Sequence, residues 1–442
     1  MKTKACSTAV RGALVLAAGL ASIPVLAGYD VYSSGSNKLT FNLDAAAAGF
    51  ANQDSWFGNS EEFLGEDTDN WGEFGVEPRL TLEAGLGGGT VFGQLSGVYA
   101  TTWEDDASGL TIGEDPDHFN VEQGHLGWKV DNVFDGLEND SFSISAGRQD
   151  YKIGSGMLIA DGGSDGGYLG GWYLGMRKAF KESVIATLKS DELLLEGFRL
   201  KNRPRRGGTE GEAYGANGEY TFFGTTRLGA TYIKVDPNEL PGYDELDVYD
   251  GRLDWTPGGK AEGLFFSGEF AHEDSDQIDA DGWFAELGYQ TRELCWSPTF
   301  SYRYAHFDGD KLDTPEDEQF REIAYGYTDY GSWYQGEITG NYPLANGNLN
   351  SHRVRIKAQP NDSVTLNLMY YDFTLDEQHV WGDPVTSDDW GQEVDFTVDW
   401  AATDQIYVIG VLGALFPGKA AEEWVGNDKD WLYSMLYVSY AY

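Results

Sequence analysis

The chain has 442 residues, with 72 acidic against 30 basic side chains and a formal net charge of −42. So acidic a surface disfavours nucleic acid as a partner, because phosphate binding requires basic side chains. Soluble proteins of halophile type are also acidic, so the charge alone does not assign a compartment.

Residues 1–27 have the pattern of a secretory signal peptide. Lys2, Lys4 and Arg11 precede an apolar run that ends in small residues before Gly28, and this run is too short for a membrane helix. The domain that remains is 28–442. Removal of the signal leaves Cys295 as its one cysteine, so no intrachain disulfide is expected. No later stretch approaches the about 20 apolar residues of a transmembrane helix, so membrane insertion would require strands.

Alternating apolar and polar residues predict eighteen strands. In 363–374, for example, Leu366 and Leu368 alternate with Thr365 and Asn367. The weakest prediction is 183–201, where three consecutive leucines break the alternation, so this segment is either one strand with a bulge or two strands. The predicted strands are 38–50, 72–84, 90–102, 118–130, 141–152, 170–180, 183–201, 213–223, 226–235, 245–256, 262–273, 279–291, 297–308, 350–359, 363–374, 390–401, 404–415 and 430–442.

The connections between these strands alternate in length. Connections such as 103–117 and 309–349 are long and rich in Gly and Asp, whereas 85–89 and 224–225 are short. Outer-membrane barrels have short periplasmic turns and long external loops. We therefore expect an all-β fold, a transmembrane antiparallel β-barrel of eighteen strands closed by pairing of the last strand with the first. The 14 tryptophans and 26 tyrosines suit the aromatic girdles of such a barrel.

An eighteen-strand lumen is too wide for side chains alone to fill, so the function expected is transport across the outer membrane of a Gram-negative bacterium. Strand parity assigns charged residues to the lumen wall. The candidate pore residues are Arg79, Arg227, Arg252, Arg303, Arg353, Arg355, Lys357, Glu77, Asp250, Asp254 and Asp395.

The densest basic segment is H-R-V-R-I-K at 352–357. It places Arg353, Arg355 and Lys357 at period two on one strand face, beside Arg303 of the preceding strand. One interpretation is a charged wall held by ion pairs. The other is a solute contact, because anion pores use rings of cationic side chains.

Residues 145–161 read S-A-G-R-Q-D-Y-K-I-G-S-G-M-L-I-A-D. The G-R-Q at a strand end, followed by Tyr151, Gly154, Gly156, Met157 to Ile159 and Asp161, resembles the signature of the alginate export family, as do Trp424 to Asp428 and the aromatic last strand. The resemblance implies an eighteen-strand outer-membrane barrel with an arginine-rich pore for a polyanionic polysaccharide. It makes Arg148 a pore candidate, although Arg148 shares parity with Ile144 and Ala146 and would face lipid unless Gly147 forms a bulge.

No catalytic or cofactor motif is evident, so we expect a channel and not an enzyme. The six histidines are scattered, with no spacing typical of a zinc site. Calcium binding by the acidic segments 273–276 and 310–318 is the one metal expectation, although solvated acidic loops are favoured because the spacing matches no defined calcium loop.

The partners expected are outer-membrane lipid and lipopolysaccharide, the barrel assembly machinery, and an anionic saccharide or small carboxylate as solute. Two alternatives remain. A general or cation-preferring porin would share the signal peptide, the sorting of loop lengths and the charged lumen. An acidic secreted glycan-binding β-protein would share the strand alternation but have apolar residues inside.

Overall fold

The computed structural model describes residues 28–442 except 114, 135–136, 138, 164–166, 204–210, 237–244, 316, 325 and 327–334. The predicted signal peptide at 1–27 lies outside the described residues. The strands are β1 (Tyr29–Ser34), β2 (Asn37–Gln53), β3 (Asn70–Leu86), β4 (Gly89–Trp103), β5 (Asp117–Asp131), β6 (Ser141–Gln149), β7 (Phe180–Lys189), β8 (Leu193–Lys201), β9 (Glu212–Phe222), β10 (Thr226–Val235), β11 (Asp247–Trp255), β12 (Leu264–Asp274), β13 (Asp279–Gln290), β14 (Thr299–Phe307), β15 (Leu349–Asn361), β16 (Val364–Leu375), β17 (His379–Val380), β18 (Asp383–Pro384), β19 (Asp389–Ala401), β20 (Ile406–Pro417) and β21 (Trp431–Ala441).

Eighteen of these strands, β2 to β16 and β19 to β21, form one closed antiparallel barrel. Each strand pairs with its neighbours in sequence, and β21 pairs with both β20 and β2. The closing seam runs from Asp44 opposite Ala441 to Gln53 opposite Leu432. It ends where Leu43 and Tyr442 exchange two backbone hydrogen bonds of 3.0 Å. Beyond that point β1 pairs with the rest of β2. The pairing of β21 with β2, the first strand of the barrel, confirms the predicted closure.

The helices are short: α1 (Ser55–Gly58), α2 (Ser60–Phe63) and α3 (Lys419–Val425), with 3₁₀ turns at Trp172–Leu174 and Gly259–Ala261. Across the described residues, none of the helices combines the length and apolarity needed to cross a membrane.

The barrel wall has a polar inner face and an apolar outer face because side chains alternate along each strand. On β15, for example, Arg353 is 1% exposed toward the interior, whereas Val354 is 50% exposed on the outside. Neighbouring strands continue the same outer surface with Tyr302 and Leu368. This apolar exterior is the surface that a lipid bilayer covers.

One predicted strand is wrong and one open alternative is resolved as two strands, so the number of barrel strands remains eighteen. Residues 170–180 are not a strand: Gly170, Gly171 and Gly175 have φ values of 76°, 67° and 63°, which turn the chain around the 3₁₀ turn at Trp172–Leu174. The segment 183–201 is two strands, β7 and β8, joined by a turn in which Ser190 N–H donates to the Leu193 carbonyl at 2.7 Å.

The described parts of two long external connections, 150–179 and 308–348, fold into the barrel. Leu158 and Ile159 of the first are buried among lumen-facing side chains such as Ile233 and Val248. The Ala324 N–H of the second donates to the Leu158 carbonyl at 2.9 Å, and the Ala160 N–H donates to the Ala324 carbonyl at 2.7 Å. The two segments, called here the inward loops, therefore contact each other inside the barrel and occupy part of its lumen.

Candidate functional site in the barrel lumen

A continuous row of polar residues crosses the lumen face of eight neighbouring strands. The sheet register places each residue of this row directly opposite the next, so the row runs around the wall as a belt. We call it the polar belt. Its members are Arg227 on β10, Asp254 on β11, Ser267 on β12, Glu286 on β13, Arg303 on β14, Arg353 on β15, Tyr371 on β16 and Glu393 on β19.

The centre of the polar belt holds two arginines side by side. Arg303 lies opposite Arg353 in the register of β14 and β15, and their exposed fractions are 2% and 1%. Like charges in directly opposed positions are destabilising. Glu286, the partner of Arg303 on its other side, accepts a hydrogen bond from Arg353 Nη2 at 2.6 Å. Arg303 also lies over the Phe284 ring at 5.8 Å from its centroid. The Glu286 carboxylate is therefore the hydrogen-bond acceptor of one buried guanidinium group and the register partner of the other.

Two further cations continue down β15 from this centre. Arg355 and Lys357 occupy the next two lumen positions toward the short turns and are half-buried. Arg355 donates from Nε and Nη2 to Asn367 Oδ1 at 3.0 and 2.6 Å. Within the described part of the chain, no carboxylate forms an ion pair with either cation.

The register also gives Arg355 and Lys357 uncharged neighbours on both sides. These neighbours are Ser301 and Thr299 on β14, and Met369 and Asn367 on β16. We call Arg303, Arg353, Arg355 and Lys357 the cationic ladder. Its lower half, Arg355 and Lys357, places two positive charges on adjacent lumen positions, and the charge of Asp399 on β19 also acts on both.

The other candidate arginines are paired with acids and lie apart from the cationic ladder. Arg252 forms an ion pair with Asp250, and it donates to Thr231 Oγ1 at 2.8 Å and to Asn217 Oδ1 at 2.5 Å. An inward loop packs against it: a Cβ on Gly154 would lie 2.4 Å from Arg252 Cδ. Arg227 pairs with Asp254 at 2.6 Å.

On the opposite side of the barrel, Arg79 pairs with Asp44, and Glu77 is buried beside that pair with Asp44 as its register partner. These groups neutralise their own charges, which is the behaviour of a wall held by ion pairs.

Arg148 does not join the lumen residues. Its register partner is Gly124, and the next pair along the same outer face, Ala146 with Leu126, has the leucine 61% exposed on the outside. Gly147 does adopt a φ of 130° at a register shift between β6 and β7. The alternation nevertheless continues through it, because Ser145 and Gln149 are both buried and share a hydrogen bond of 2.9 Å. The structure therefore corrects the family-based assignment of Arg148 to the pore.

The sequence did not reveal that two carboxylates of β19 hold an inward loop in place. We call these residues, Glu393 and Asp395, the carboxylate seat. Glu393 accepts hydrogen bonds from the Ile338 and Thr339 N–H groups at 2.7 and 2.9 Å, and Asp395 accepts one from the Glu337 N–H at 3.2 Å. Asp395 is therefore on the lumen face, as predicted, but it is fully buried and holds the loop. The pattern of acids on β19 indicates a lumen face, but no signal in the sequence links it to residues 337–339.

Solved structures with the same fold come from Pseudomonas aeruginosa. OpdK, in a structure with vanillate, is 12% identical, with 91% of this chain and 98% of that chain covered and a TM-score of 0.59. OpdQ is 13% identical, with 92% and 97% covered and a TM-score of 0.54. OccD3 (OpdP) is 10% identical, with 91% of each chain covered and a TM-score of 0.58. At these identities the likeness shows the fold alone, which is that of outer-membrane porins.

The closed barrel, its apolar exterior and its partly filled charged lumen define an outer-membrane channel of a Gram-negative bacterium. The family model for alginate export matches residues 214–432. This match confirms the resemblance to the alginate export family; it includes Trp424 to Asp428 but not the segment 145–161. No curated protein matches the chain. The barrel fold and the match to the alginate export family together suggest a channel rather than an enzyme.

Proposed function

We propose that the channel passes anionic sugars or small carboxylates passively and with weak selectivity, and that the lower half of the cationic ladder is the solute contact. The observation that carries this proposal is the pair Arg355 and Lys357. Both cations face the lumen, both have uncharged register neighbours, and neither is paired with a carboxylate among the described residues. An arginine can present paired donors to a carboxylate, and a lysine adds a point charge beside it.

The buried half of the ladder has a supporting role. Arg303 and Arg353 are too enclosed to receive a solute, but their charges lie on the wall next to Arg355. The overall acidity of the chain opposes anion entry from a distance. Salt screens this long-range repulsion beyond a Debye length of about 8 Å at physiological ionic strength. The direct contact between a guanidinium group and a carboxylate is screened much less.

The likeness to OpdK supports the same class of solute, since vanillate in that structure is an aromatic carboxylate. The match to the alginate export family supports an anionic saccharide. A general or cation-preferring porin is the alternative, and the acid-paired arginines elsewhere on the wall favour it, because they leave no excess positive charge at those positions.

The test is block of single-channel current by added solutes in planar bilayers. A uronate trisaccharide and benzoate serve as anionic blockers, and a neutral trisaccharide serves as the control solute. In the double variant R355S/K357S, block by both anions is expected to weaken at least about 10-fold, the equivalent of about 1.4 kcal/mol, while the neutral sugar is unaffected. The matched control K311Q/K419Q removes two charges from exposed positions in external segments. If the anions block the double variant as strongly as the control, the ladder is structural and the channel is a general porin.

A further inference from the structure

A cluster of one histidine and two aspartates lies at the external rim of the barrel, outside the lumen. His306 is near the end of β14, Asp308 follows that strand, and Asp376 follows β16. His306 Nε2 is 2.7 Å from Asp308 Oδ1, and His306 Nδ1 is 3.7 Å from Asp376 Oδ1. One nitrogen or oxygen atom from each of the three residues lies within 4.8 Å of the other two. The fold thus assembles a three-residue donor set that sequence spacing did not reveal.

The side-chain oxygen of Asn350 is a fourth donor atom beside these three. Asn350 Oδ1 lies 2.7 Å from His306 Nδ1, and the Tyr304 hydroxyl donates to the same oxygen at 2.7 Å. Asn350 and His306 are register partners on β15 and β14, so the sheet fixes their approach. The side chains of His306, Asp308 and Asp376 are 20%, 27% and 24% exposed, so an ion in solution has access to them.

The chemistry of these donors favours a borderline divalent transition metal. Imidazole nitrogen suits zinc and its neighbours, whereas calcium and magnesium take oxygen donors almost entirely. Zinc binds His nitrogen and carboxylate oxygen at about 2.0–2.2 Å, which in a tetrahedral site separates the donor atoms by about 3.3 Å. The distances from His306 Nδ1 to Asn350 Oδ1 and to Asp376 Oδ1, 2.7 and 3.7 Å, lie on either side of this separation.

The cluster lies at the base of the inward loop 308–348. The Asp308 carbonyl accepts hydrogen bonds from the Phe320 and Asn348 N–H groups at 3.1 and 3.2 Å, so the two ends of loop 308–348 meet at Asp308. The Gly309 N–H donates to Asp376 Oδ2 at 3.1 Å. An ion shared by Asp308 and Asp376 would therefore tie the base of this loop to the start of the connection between β16 and β19.

We propose that His306, Asp308 and Asp376, with the side-chain oxygen of Asn350, form a binding site for a divalent transition metal of the zinc class. The bound ion fixes the base of loop 308–348 and so stabilises its position in the lumen. This site is distinct from the cationic ladder, because His306 lies between Ala305 and Phe307, both buried toward the interior, and itself faces outward.

The experiment uses the full barrel in detergent, stripped with chelator and titrated with ZnCl₂ by isothermal calorimetry. We expect one zinc ion per barrel, and at least 10-fold weaker binding in both H306Q and D376N, a loss typical of removing one ligand group. The matched control is H352Q, because His352 is also an outward-facing histidine of this wall but is hydrogen-bonded to the Tyr302 hydroxyl, at 2.7 Å, and not to a carboxylate.

A gel mobility shift on heating verifies that each variant is a folded barrel before titration. D308N provides a second conservative carboxylate variant if either of the first two fails to fold. A second measurement compares loop protection: zinc should slow proteolysis within 308–348 in the wild type and in H352Q, but not in D376N. The proposal is overturned if no stoichiometric zinc binds, or if H306Q and D376N bind zinc as the wild type does, or if H352Q loses binding to the same extent.

Discussion

Arg303 and Arg353 lie directly opposite each other on β14 and β15, both almost fully buried, and Glu286 is the register partner of one and the hydrogen-bond acceptor of the other. Two like charges at opposed positions of a sheet repel each other. The Glu286 carboxylate therefore offsets part of this repulsion, and the three residues form one charged group in the wall. The same grouping leaves the next two cations, Arg355 and Lys357, without an ion-paired carboxylate in the part of the chain that the structure describes.

Removing the shared carboxylate should destabilise the barrel. In E286Q the buried guanidinium group of Arg353 loses the carboxylate that accepts its hydrogen bond, and loss of one partner from a buried ion pair costs about 3–5 kcal/mol. Urea unfolding in detergent micelles should show a loss of about 3 kcal/mol. The control is E262Q, which breaks the exposed Arg292–Glu262 pair and should cost less than about 1 kcal/mol. Equal effects of the two variants would argue against the group of three.

Release of the carboxylate seat on β19 should widen the pore. In E393Q an amide NH2 group replaces one of the two carboxylate oxygens, so only one of the Ile338 and Thr339 N–H groups keeps an acceptor. We expect higher single-channel conductance and more current noise, because the inward loop loses its attachment. G336A should act in the same direction, since Gly336 has a φ of 88° and a Cβ there would lie 2.6 Å from Glu393 Oε1.

The matched control for the seat is E423Q. Glu423 accepts from the Thr386 N–H and hydroxyl groups at 2.6 Å each, but in an exposed external connection. The conductance of the E423Q channel should remain that of the wild type. A conductance of E393Q equal to that of E423Q would show that the attachment does not hold the loop in the pore.

Shortening either inward loop should increase conductance, because both occupy the lumen and contact each other through Ile159 and Ala324. Removal of residues 154–160 breaks that contact from one side, and removal of 320–326 breaks it from the other. We expect larger conductance in each deletion variant, measured in planar bilayers. Unchanged conductance in both would mean that neither loop restricts the path.

The closing seam gives a prediction about assembly. Deletion of Tyr440 to Tyr442 removes the last pairings of β21 with β2, including both hydrogen bonds between Leu43 and Tyr442. Unpaired backbone groups at a barrel edge cannot be satisfied within lipid. The truncated chain should accumulate far below wild-type levels in the outer membrane, as measured by fractionation and a heat-modifiability gel. Wild-type levels would show that this end of the seam is dispensable.

The strands could be predicted from the sequence because alternation of period two is a local signal. It failed where a segment packs inside the barrel: residues 170–180 are as apolar as a strand, but Leu174 is buried against the inner wall and Gly171 and Gly175 turn the chain. It also failed at Leu193, where β8 begins directly after a turn. A segment packed inside the barrel and a strand facing lipid can both be rich in apolar residues. The residue pattern therefore does not distinguish the two.

The lumen site was predictable only in part. Parity correctly placed Arg353, Arg355 and Lys357 on one face, because that follows from position within a single strand. Which charges are neutralised depends on the register between strands: Glu286 reaches Arg353 across the intervening β14. The contact between Ile159 and Ala324, and the meeting of His306 with Asp376, depend on how loops and strand ends meet in space. Sequence spacing contains none of that information.

The reversal potential in a salt gradient shows whether the cationic ladder gives the path a local preference for anions. Replacing Arg303, Arg353 and Arg355 together by Ser should move the reversal potential toward cation preference relative to the wild type, and R355S/K357S should do the same without disturbing the buried pair with Glu286. If both variants conduct normally and their reversal potentials equal that of the surface control K311Q/K419Q, the ladder does not contact permeating ions and the account is contradicted.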